Sequence, residues 1–418
     1  MSASLARGIA GFKEQIDAPT ASFFSSCVRC GMCADACLFY ETTQDPKYTP
    51  IHKLEPMHRV WKQEYTFWGR VATALGISKK VSDAELDEWQ ELLYDSCTLC
   101  GRCSLVCPVG NDLVYMIRKA REGMVASGHA PKELKLATSR ALTTGSPMGV
   151  TYKALSSQIK HAEDETGITI PVDVKNADYM VLMSSAEIMN FPEFINAIAQ
   201  IFKQADISWT FSSQSFEATN SGIQIGSSDI AAELVQRIVD AAEILQVKNV
   251  ISPECGHAYT ALRWEGPNLI GKTYPFKVVH ILELLDELRR ENRISLEGMD
   301  AEKLTFHDPC QLVRRGGIMQ EPRDLLSSVS DNFIEMPAAG KWNWCCGGGG
   351  GVSVNPDADE LRLKAFSIKK DQVEKTGAKK MVTCCSNCRN MLDDGIEEYE
   401  MNIEVVGLTE LIAEHLKK

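Results

Sequence analysis

The sequence predicts an α+β protein of several domains, in which a helical N-terminal domain precedes two tandem α/β modules. Three observations support this fold class: two CxxCxxCxxxC motifs near the N-terminus, alternating strand and helix patterns from about residue 175, and a restart of that alternation near residue 303. The chain has 418 residues, 44% of them hydrophobic, and can bury more than one core. We place the boundaries at 1–150, 175–295 and 300–418.

The N-terminal domain is expected to be helical throughout. Apolar residues at helical spacing within 1–20 predict a helix packed on its own domain rather than on a membrane or partner. Further helices are predicted around 54–75, 83–95 and 112–127. Residues 128–150 are rich in glycine and proline and are predicted to be a connector.

The α/β part is predicted from short apolar runs that alternate with longer amphipathic patterns. The predicted strands are 179–184, 209–213, 249–252, 304–308, 333–336, 380–383 and 403–406. The predicted helices are 191–204, 230–246, 278–288, 358–375, 388–400 and a closing helix to residue 418.

The restart at residue 303 indicates an internal repeat. Aligned by eye, Leu304–Cys310 falls over Tyr179–Ser185, and Trp342–Cys346 falls over Trp209–Ser213. The segment Cys385–Cys388 falls over Ser252–Cys255. Serines then stand opposite four cysteines of the second copy, and we interpret the first copy as a module that kept its fold and lost its metal.

Fourteen of the fifteen cysteines belong to three sets, and the first two sets predict a pair of [4Fe–4S] cubanes. In two-cluster ferredoxins the fourth cysteine of each motif ligates the other cluster. On that logic one cubane is held by Cys27, Cys30, Cys33 and Cys107, and the other by Cys97, Cys100, Cys103 and Cys37. Structural zinc sites also use four cysteines, but zinc usually pairs one CxxC with a distant CxxC.

The third set consists of Cys310, Cys345, Cys346, Cys384, Cys385 and Cys388. Each group follows the end of a predicted strand, where open α/β sheets place their sites. Adjacent cysteines cannot both serve one tetrahedral corner, so a larger cluster is predicted. The run Gly347–Gly351 permits close backbone approach, and we expect Gly347 and Gly348 to donate N–H groups to cluster sulfurs. A phosphate loop is disfavoured because the run lacks a GK[ST] ending.

Cys310, Cys345-Cys346-Gly347 and Cys385-Ser-Asn-Cys388 resemble the CCG-domain motif of heterodisulfide reductase catalytic subunits. With the two ferredoxin motifs in front, the chain is similar to the fused HdrD type and to iron–sulfur subunits of glycolate and glycerol-3-phosphate dehydrogenases. The resemblance implies a noncubane [4Fe–4S] cluster held by Cys310, Cys345, Cys346, Cys385 and Cys388, which cleaves a disulfide. Cys384 is then an extra thiol, an alternative ligand or a redox partner.

The chain departs from full heterodisulfide reductases because it has one intact CCG module where they have two. This one-site arrangement resembles the DsrK and TmcB type of sulfate reducers. It leaves three hypotheses: a redox subunit acting on a disulfide or thiol, an electron-transfer subunit without its own substrate, and a zinc scaffold. The implied partners are a cytochrome b-type membrane subunit or a flavoprotein, and a small thiol or a thiol carrier protein.

The composition and sequence pattern argue against a nucleic-acid-binding, a secreted or a membrane-spanning protein. The formal net charge is −12 and no basic block appears, so nucleic acid is not an expected partner. The N-terminus lacks the apolar core of a secretory signal, and no run of 18 apolar residues exists. We therefore expect a cytoplasmic protein, held at the inner face of a membrane only through a partner subunit. In such a reducing compartment the cysteines indicate metal ligation rather than disulfides.

Five more residues carry weaker hypotheses. Cys255 and His257 either line the active cavity or are a relic thiol beside a packed histidine. His307 is expected to be a hydrogen-bonded histidine at a strand end, with proton donation to a product thiol as the alternative. The pair Arg314 and Arg315 either binds an anionic substrate tail or lies on the solvated surface.

Overall fold

The computed structural model describes residues 2–417, and the chain divides into two compact units. The first unit runs through Lys135 and also contains 222–228 and 347–368. The second unit contains 136–221, 229–346 and the remainder from Lys369. Both units are therefore assembled from separate stretches of sequence.

The helices and strands are as follows. The α-helices are α1 (Ala3–Gln15), α2 (Ala18–Ser26), α3 (Met32–Asp35), α4 (Leu38–Thr43), α5 (Glu55–Tyr65), α6 (Phe67–Ala74), α7 (Asp83–Gln90), α8 (Arg102–Leu105), α9 (Leu113–Ser127), α10 (Lys132–Thr144), α11 (Tyr152–Thr166), α12 (Ser185–Asn190), α13 (Glu193–Gln204), α14 (Ser221–Ile225), α15 (Ser228–Leu245), α16 (Gly256–Tyr259), α17 (Gly266–Ile270), α18 (Ile281–Arg290), α19 (Glu321–Ser327), α20 (Asp359–Thr376), α21 (Ser386–Glu398) and α22 (Leu408–Glu414). The strands are β1 (Tyr179–Val181), β2 (Trp209–Thr210), β3 (Asn249–Ser252), β4 (Lys277–His280), β5 (Leu304–His307), β6 (Lys380–Thr383) and β7 (Glu404–Gly407).

Short helical turns of other types lie between these elements. The 3₁₀ turns are Pro46–Tyr48, His52–Leu54, Gly340–Trp342, Val352–Val354 and Pro356–Ala358. The π-helical turns are Glu91–Asp95, Thr260–Glu265 and Gln311–Arg315. Two of the π turns adjoin predicted ligands, Cys97 and Cys310, and π turns occur frequently at functional sites.

In the first unit, α1 and α9 approach closely because glycines line their contact. A Cβ added at Gly11 would lie 2.7 Å from the Cβ of Ala126, and one at Gly123 would lie 2.0 Å from the ring of Phe12. No side chain larger than hydrogen fits at either position without a shift of the helices. The predicted packing of the first helix on its own domain is thus confirmed.

The second unit contains two parallel sheets. The first has the order β2–β1–β3–β4, and the second has the order β5–β6–β7. Hydrophobic residues from both sheets, such as Val250, Phe306 and Val382, belong to one core. Burying each such side chain contributes about 1.5–3 kcal/mol, and the core therefore fixes the strand ends from which the cysteine loops start.

The pairing of the strands gives the repeat a different register from the sequence alignment. Tyr179 pairs with Trp209, as Leu304 pairs with Phe333, so Trp209 corresponds to Phe333 and not to Trp342. The last residues of the two central strands are Ser252 and Thr383, so Ser252 does not stand opposite Cys385. The alignment of Tyr179 with Leu304 agrees with the strand pairing, because each of these residues pairs with the first residue of the central strand of its sheet.

Three sequence expectations about elements are wrong. Residues 128–150 contain α10, whose buried Leu134, Ala137 and Ala141 follow helical spacing while Pro131 and Gly145 mark its ends rather than a loop. The predicted helix 278–288 begins as β4 and becomes helical at Ile281. The strand expected at 333–336 is reduced to one bridge at Phe333.

Candidate iron–sulfur centres

The cysteines of the first unit gather in two groups, and each group lines a cavity. Cavity A is lined by Cys27, Cys30, Cys33 and Cys107. Cavity B is lined by Cys97, Cys100, Cys103 and Cys37. Each cavity thus combines three cysteines of one motif with the fourth cysteine of the other, which is the exchange expected from the sequence.

The two CxxC turns have the same backbone conformation. Cys30 lies between Arg29 (φ 55°) and Gly31 (φ 86°), both in the left-handed region. The residues that flank Cys100 repeat this, with φ of 56° at Leu99 and 78° at Gly101. Left-handed residues in a turn orient backbone N–H groups toward one side and form an anion-binding concavity. Two non-glycine residues held at positive φ indicate a conformation that the surroundings impose.

The donor set fits iron–sulfur clusters. None of the fifteen cysteines, all of which lie among the described residues, forms a disulfide. Burial raises the pKa of Cys33 to about 11, and burial together with neighbouring thiols raises the pKa of Cys103 well above its usual range. Thiolates packed this closely repel one another, and a cluster of iron cations supplies the charge that compensates them.

Two buried cations distinguish cavity B. Lys53 is 1% exposed. Burial raises the pKa of Cys97, and the charges of Lys53 and Arg121 oppose that shift. Arg121 is fully buried and donates hydrogen bonds to the carbonyl oxygens of Leu93 (2.7 Å), Cys97 (2.8 Å), Gly350 (2.6 Å) and Gln224. The sequence indicated neither residue as part of a site. For Arg121 the available signal was a long cationic side chain among the buried positions of α9.

The glycine run after Cys346 continues into the first unit. Gly350 has φ of 65°, and a Cβ there would lie 2.8 Å from the carbonyl oxygen of Cys97. Gly347 also has a left-handed φ, of 99°, and the carbonyl of Gly348 accepts a hydrogen bond from Ser353 at 3.1 Å. The run therefore meets the backbone beside cavity B, while N–H donation by Gly347 and Gly348 stays a prediction.

In the second unit, the five cysteines of the third motif lie together and are buried. The sulfurs of Cys310 and Cys345 are 3.9 Å apart. The sulfurs of Cys346 and Cys388 lie within 4.8 Å of each other, and the neighbouring thiols of Cys346 and Cys385 raise the pKa of Cys388 well above its usual range. The loops after β5 and β6 and the loop before Gly347 thus bring all five sulfurs of the expected ligand set to one place, which we call the CCG site.

His307 faces this site from the last residue of β5. One nitrogen of its ring and the sulfurs of Cys346 and Cys388 all lie within 4.8 Å of one another. Its side chain is fully buried, and neither ring nitrogen has a hydrogen-bond partner among the described residues. Burial lowers the pKa of His307 to about 3. The expectation of a hydrogen-bonded histidine is wrong, because the ring points at the cysteines and not at a polar partner.

Asp308 and Arg314 hold the loops that carry Cys310 and Cys345. Arg323 donates to both carboxylate oxygens of Asp308, which also accepts a hydrogen bond from the backbone N–H of Gly340 at 2.7 Å. Arg314 donates to the carbonyl oxygens of Lys341 (2.9 Å) and Asn343 (2.7 Å). Arg314 therefore positions a loop, which neither sequence hypothesis for it anticipated.

Lys369 is a site residue that sequence reasoning missed. It is 2% exposed, and its ammonium donates to the side-chain carbonyl of Gln372 at 2.7 Å. Burial lowers its pKa to about 8, while the charges of Asp308 and of cysteines in the CCG site oppose that shift. It occupies an apolar position in the buried stripe of α20, between Phe366 and Val373, and that placement was the available signal.

The two cysteines outside the expected ligand set are both buried in the hydrophobic core. Burial raises the pKa of Cys384 well above the usual range. Cys255 lies beside Cys385, because the backbone N–H of Ser386 donates to the carbonyl oxygen of Glu254 at 2.8 Å. This contact favours the hypothesis that Cys255 lines the site over that of a relic thiol beside a packed histidine.

Two protein-family models match the two parts of the chain that contain these groups of cysteines. A family model described as a 4Fe-4S dicluster domain matches residues 24–111, and one described as a cysteine-rich domain (CCG) matches residues 304–393. None of the described helices is long and apolar enough to cross a membrane.

The chain is similar to three curated proteins over most of its length. An Hdr-like menaquinol oxidoreductase iron–sulfur subunit of Archaeoglobus profundus is 25% identical, covering 97% of this chain and 82% of that protein. One subunit of the dihydromethanophenazine:CoB–CoM heterodisulfide reductase of Methanosarcina barkeri is 28% identical, with 94% and 93% covered. An EtfAB:quinone oxidoreductase of Syntrophomonas wolfei is 26% identical, with 96% and 58% covered.

Proposed function

Because this chain is a CCG-domain iron–sulfur protein of the heterodisulfide reductase-like group, as its motifs predict, we propose that it relays electrons through two cubanes to a catalytic CCG cluster. Cavities A and B would each hold one [4Fe–4S] cubane. The CCG site would hold a noncubane [4Fe–4S] cluster, ligated by the five cysteines that converge there. Its substrate would be a disulfide, or the corresponding thiols in the reverse direction.

One observation carries the proposal: the five sulfurs of the third motif converge in a buried site beside an unpartnered histidine. A structural zinc site needs four ligands and leaves no reason for a fifth thiol. An unpaired, fully buried imidazole costs free energy that a structural role would not recover. This arrangement supports a reactive centre more than a scaffold.

When bound, the cluster would supply the two electrons that convert a disulfide into two thiols. The reaction also consumes two protons, one for each thiol, and both must reach the buried site. Lys369 can hold one at neutral pH, because its pKa of about 8 leaves the buried ammonium mostly protonated there. Burial lowers the pKa of His307 to about 3, so the ring stays neutral and the second proton would reach the site from solvent.

Electrons would enter from a partner subunit. Cavity A includes Cys30, which is exposed, whereas cavity B includes the buried Cys103. A cubane in cavity A would therefore be the more accessible to a redox partner. As the resemblance of the motifs implies, that partner would be a cytochrome b-type membrane subunit or a flavoprotein.

A second candidate is an electron-transfer subunit with no substrate of its own. The names of two relatives favour it, since one is a menaquinol oxidoreductase subunit and another a quinone oxidoreductase. In that case the CCG cluster would be a third relay centre. The ligand residues would be the same in both candidates.

Thiol release separates the two candidates. We would reduce the anaerobic protein, add a small aliphatic disulfide, and measure thiol together with the paramagnetic spectrum. The proposal predicts two thiols per disulfide and a new cluster signal, both lost in Cys385→Ser and kept in Cys384→Ser. Reoxidation by a quinone analogue, without thiol release or a new signal, would favour the relay instead.

A further inference from the structure

Cys255 and Cys385 occupy the same position at the start of the helix that follows the central strand of each sheet, although Cys255 lies three residues beyond its strand and Cys385 lies two. Each residue follows a central strand and caps the next helix, with φ and ψ of −146° and 103° at Cys255 and −151° and 111° at Cys385. In each case the backbone N–H three residues later, at Ala258 or Cys388, donates to the cysteine sulfur. Cys255 is therefore the counterpart of the first cysteine of CxxC, not of the second as the sequence alignment placed it.

The two cysteines lie side by side. The backbone N–H of Ser386 donates to the carbonyl oxygen of Glu254 at 2.8 Å, which places Cys255 next to Cys385, and each thiol shifts the pKa of the other. Cys388 lies in the first turn of the helix that Cys385 caps, and its sulfur is within 4.8 Å of that of Cys346, so a path of neighbouring cysteines runs from Cys255 to Cys346. Cys255 is 4% exposed, like the cysteines of the expected ligand set.

A second observation shows that this path borders a ligand site. The ring of His307, fully buried and without a hydrogen-bond partner among the described residues, lies within 4.8 Å of the sulfurs of Cys346 and Cys388. An unsatisfied imidazole aimed at two thiols indicates that something else belongs between these groups.

We infer that Cys255 is a sixth thiolate ligand of the CCG cluster, contributed by the first sheet to a site otherwise built by the second. The inference rests on the proposed function, because it presupposes the cluster. It gives the first module a role: its single remaining cysteine completes the ligand shell. Both sheets would then be tied to one cluster, and loss of Cys255 would change the electronic structure of the cluster rather than its surroundings alone.

Selenium labelling tests this ligation without removing the ligand. Selenocysteine enriched in a selenium isotope of nuclear spin one half would replace Cys255, Cys384 or Cys385, one at a time, in the full chain. The readout is the hyperfine splitting of the paramagnetic CCG cluster. We expect resolved splitting from positions 255 and 385, of similar size, and none from position 384.

Each outcome bears on the claim. Splitting from position 385 alone would overturn the inference and leave the proposed function standing. Wild-type protein with only about eight irons, in two four-iron clusters, would remove the proposed function and this inference with it. As a second measurement, Cys255→Ser should alter the Mössbauer parameters of the third cluster while Cys384→Ser leaves them as in wild type, and unaltered parameters in Cys255→Ser would contradict ligation.

Discussion

Asp308 connects three parts of the CCG site through one carboxylate. Its side chain is almost fully buried, receives both terminal nitrogens of Arg323, and accepts a hydrogen bond from the backbone of Gly340. Its carbonyl oxygen accepts a further hydrogen bond from the side chain of Asn343. Because the residue also stands between His307 and Cys310, it fixes the geometry of ligands on two loops.

Removing this charge should therefore affect one cluster selectively. Asp308→Asn removes the buried carboxylate of Arg323 and leaves that guanidinium paired only with the half-exposed Glu335, which should cost about 1–3 kcal/mol. We expect a lower thermal midpoint and loss of about four irons per chain, with both cubanes retained. Arg290→Met serves as the control, because the Arg290 side chain is exposed and its partner Asp286 keeps a second ion pair with Arg289. Full iron content in Asp308→Asn would refute this role.

Glu187 carries a pH dependence of stability. Its carboxylate oxygens accept hydrogen bonds from the backbone N–H groups of Ser184 and Glu254, and burial raises its pKa to about 8. The folded state therefore holds a proton that the unfolded state releases above pH 4.5. The resulting stabilisation is complete below that pH and is lost as the pH rises through 8.

Glu187→Gln tests this sign. Relative to the variant, the wild-type chain should lose about 2 kcal/mol of unfolding free energy between pH 6.5 and pH 8.5, where the other titrating groups are common to both. Anaerobic denaturation at the two pH values measures the difference. A gap between the two proteins that does not change with pH would show that Glu187 does not hold the proton.

At the scale of elements, the two CxxC turns are alike in backbone but not in charge. Lys53, from the 3₁₀ turn His52–Leu54, and Arg121, from α9, are both buried beside cavity B. Cavity A is lined by Arg29, which is exposed and paired with Glu55 at 2.8 Å. A buried cation stabilises the reduced, more negative cluster more strongly than an exposed and neutralised one does.

The cubane in cavity B should consequently have the higher potential. Lys53→Met should lower that potential by tens of millivolts, where 59 mV is a tenfold change for a one-electron couple. The potential of the cubane in cavity A should not change, and the exposed Lys62→Met should change neither. A redox titration followed by electron paramagnetic resonance measures both centres. Equal shifts at the two centres would contradict the assignment of Lys53 to cavity B.

Local sequence patterns predicted the elements that depend on local information. Most strands and helices lie near their expected positions, and the CxxC spacing anticipated which cysteines would share a cavity. The missed features depend on distant contacts: Arg121 needs carbonyl groups from three separate segments, and Lys369 sits in an apolar stripe beside cysteines. The position of Cys255 required the cap geometry of the helix that follows β3, which short repeats aligned by eye do not fix.

At the scale of the whole molecule, the predicted domain 1–150 lacks parts of the unit that contains its cysteines. The first unit includes 222–228 and 347–368, which supply the Gln224 and Gly350 carbonyls to Arg121. A buried guanidinium that loses such partners costs about 1–3 kcal/mol for each hydrogen bond. The helical unit therefore depends on segments far along the chain.

A fragment of residues 1–150 should reflect that dependence. We expect it to lose iron faster than the full chain and to retain fewer than about eight irons. Arg121→Met in the full chain should weaken cluster retention in the same direction. Iron release to a chelator under anaerobic conditions measures both. A fragment as retentive as the full chain would show that the distant segments are dispensable.

The central claim is that this chain holds three iron–sulfur clusters, the third at the CCG site. Mössbauer spectroscopy of anaerobic protein grown on enriched iron, for wild type and Cys310→Ser, tests it most directly. The account predicts about twelve irons per chain in three four-iron clusters, and loss of about four irons with one distinct spectral component in the variant. Only about eight irons in wild type, the same spectrum in Cys310→Ser, or zinc in place of iron would contradict it.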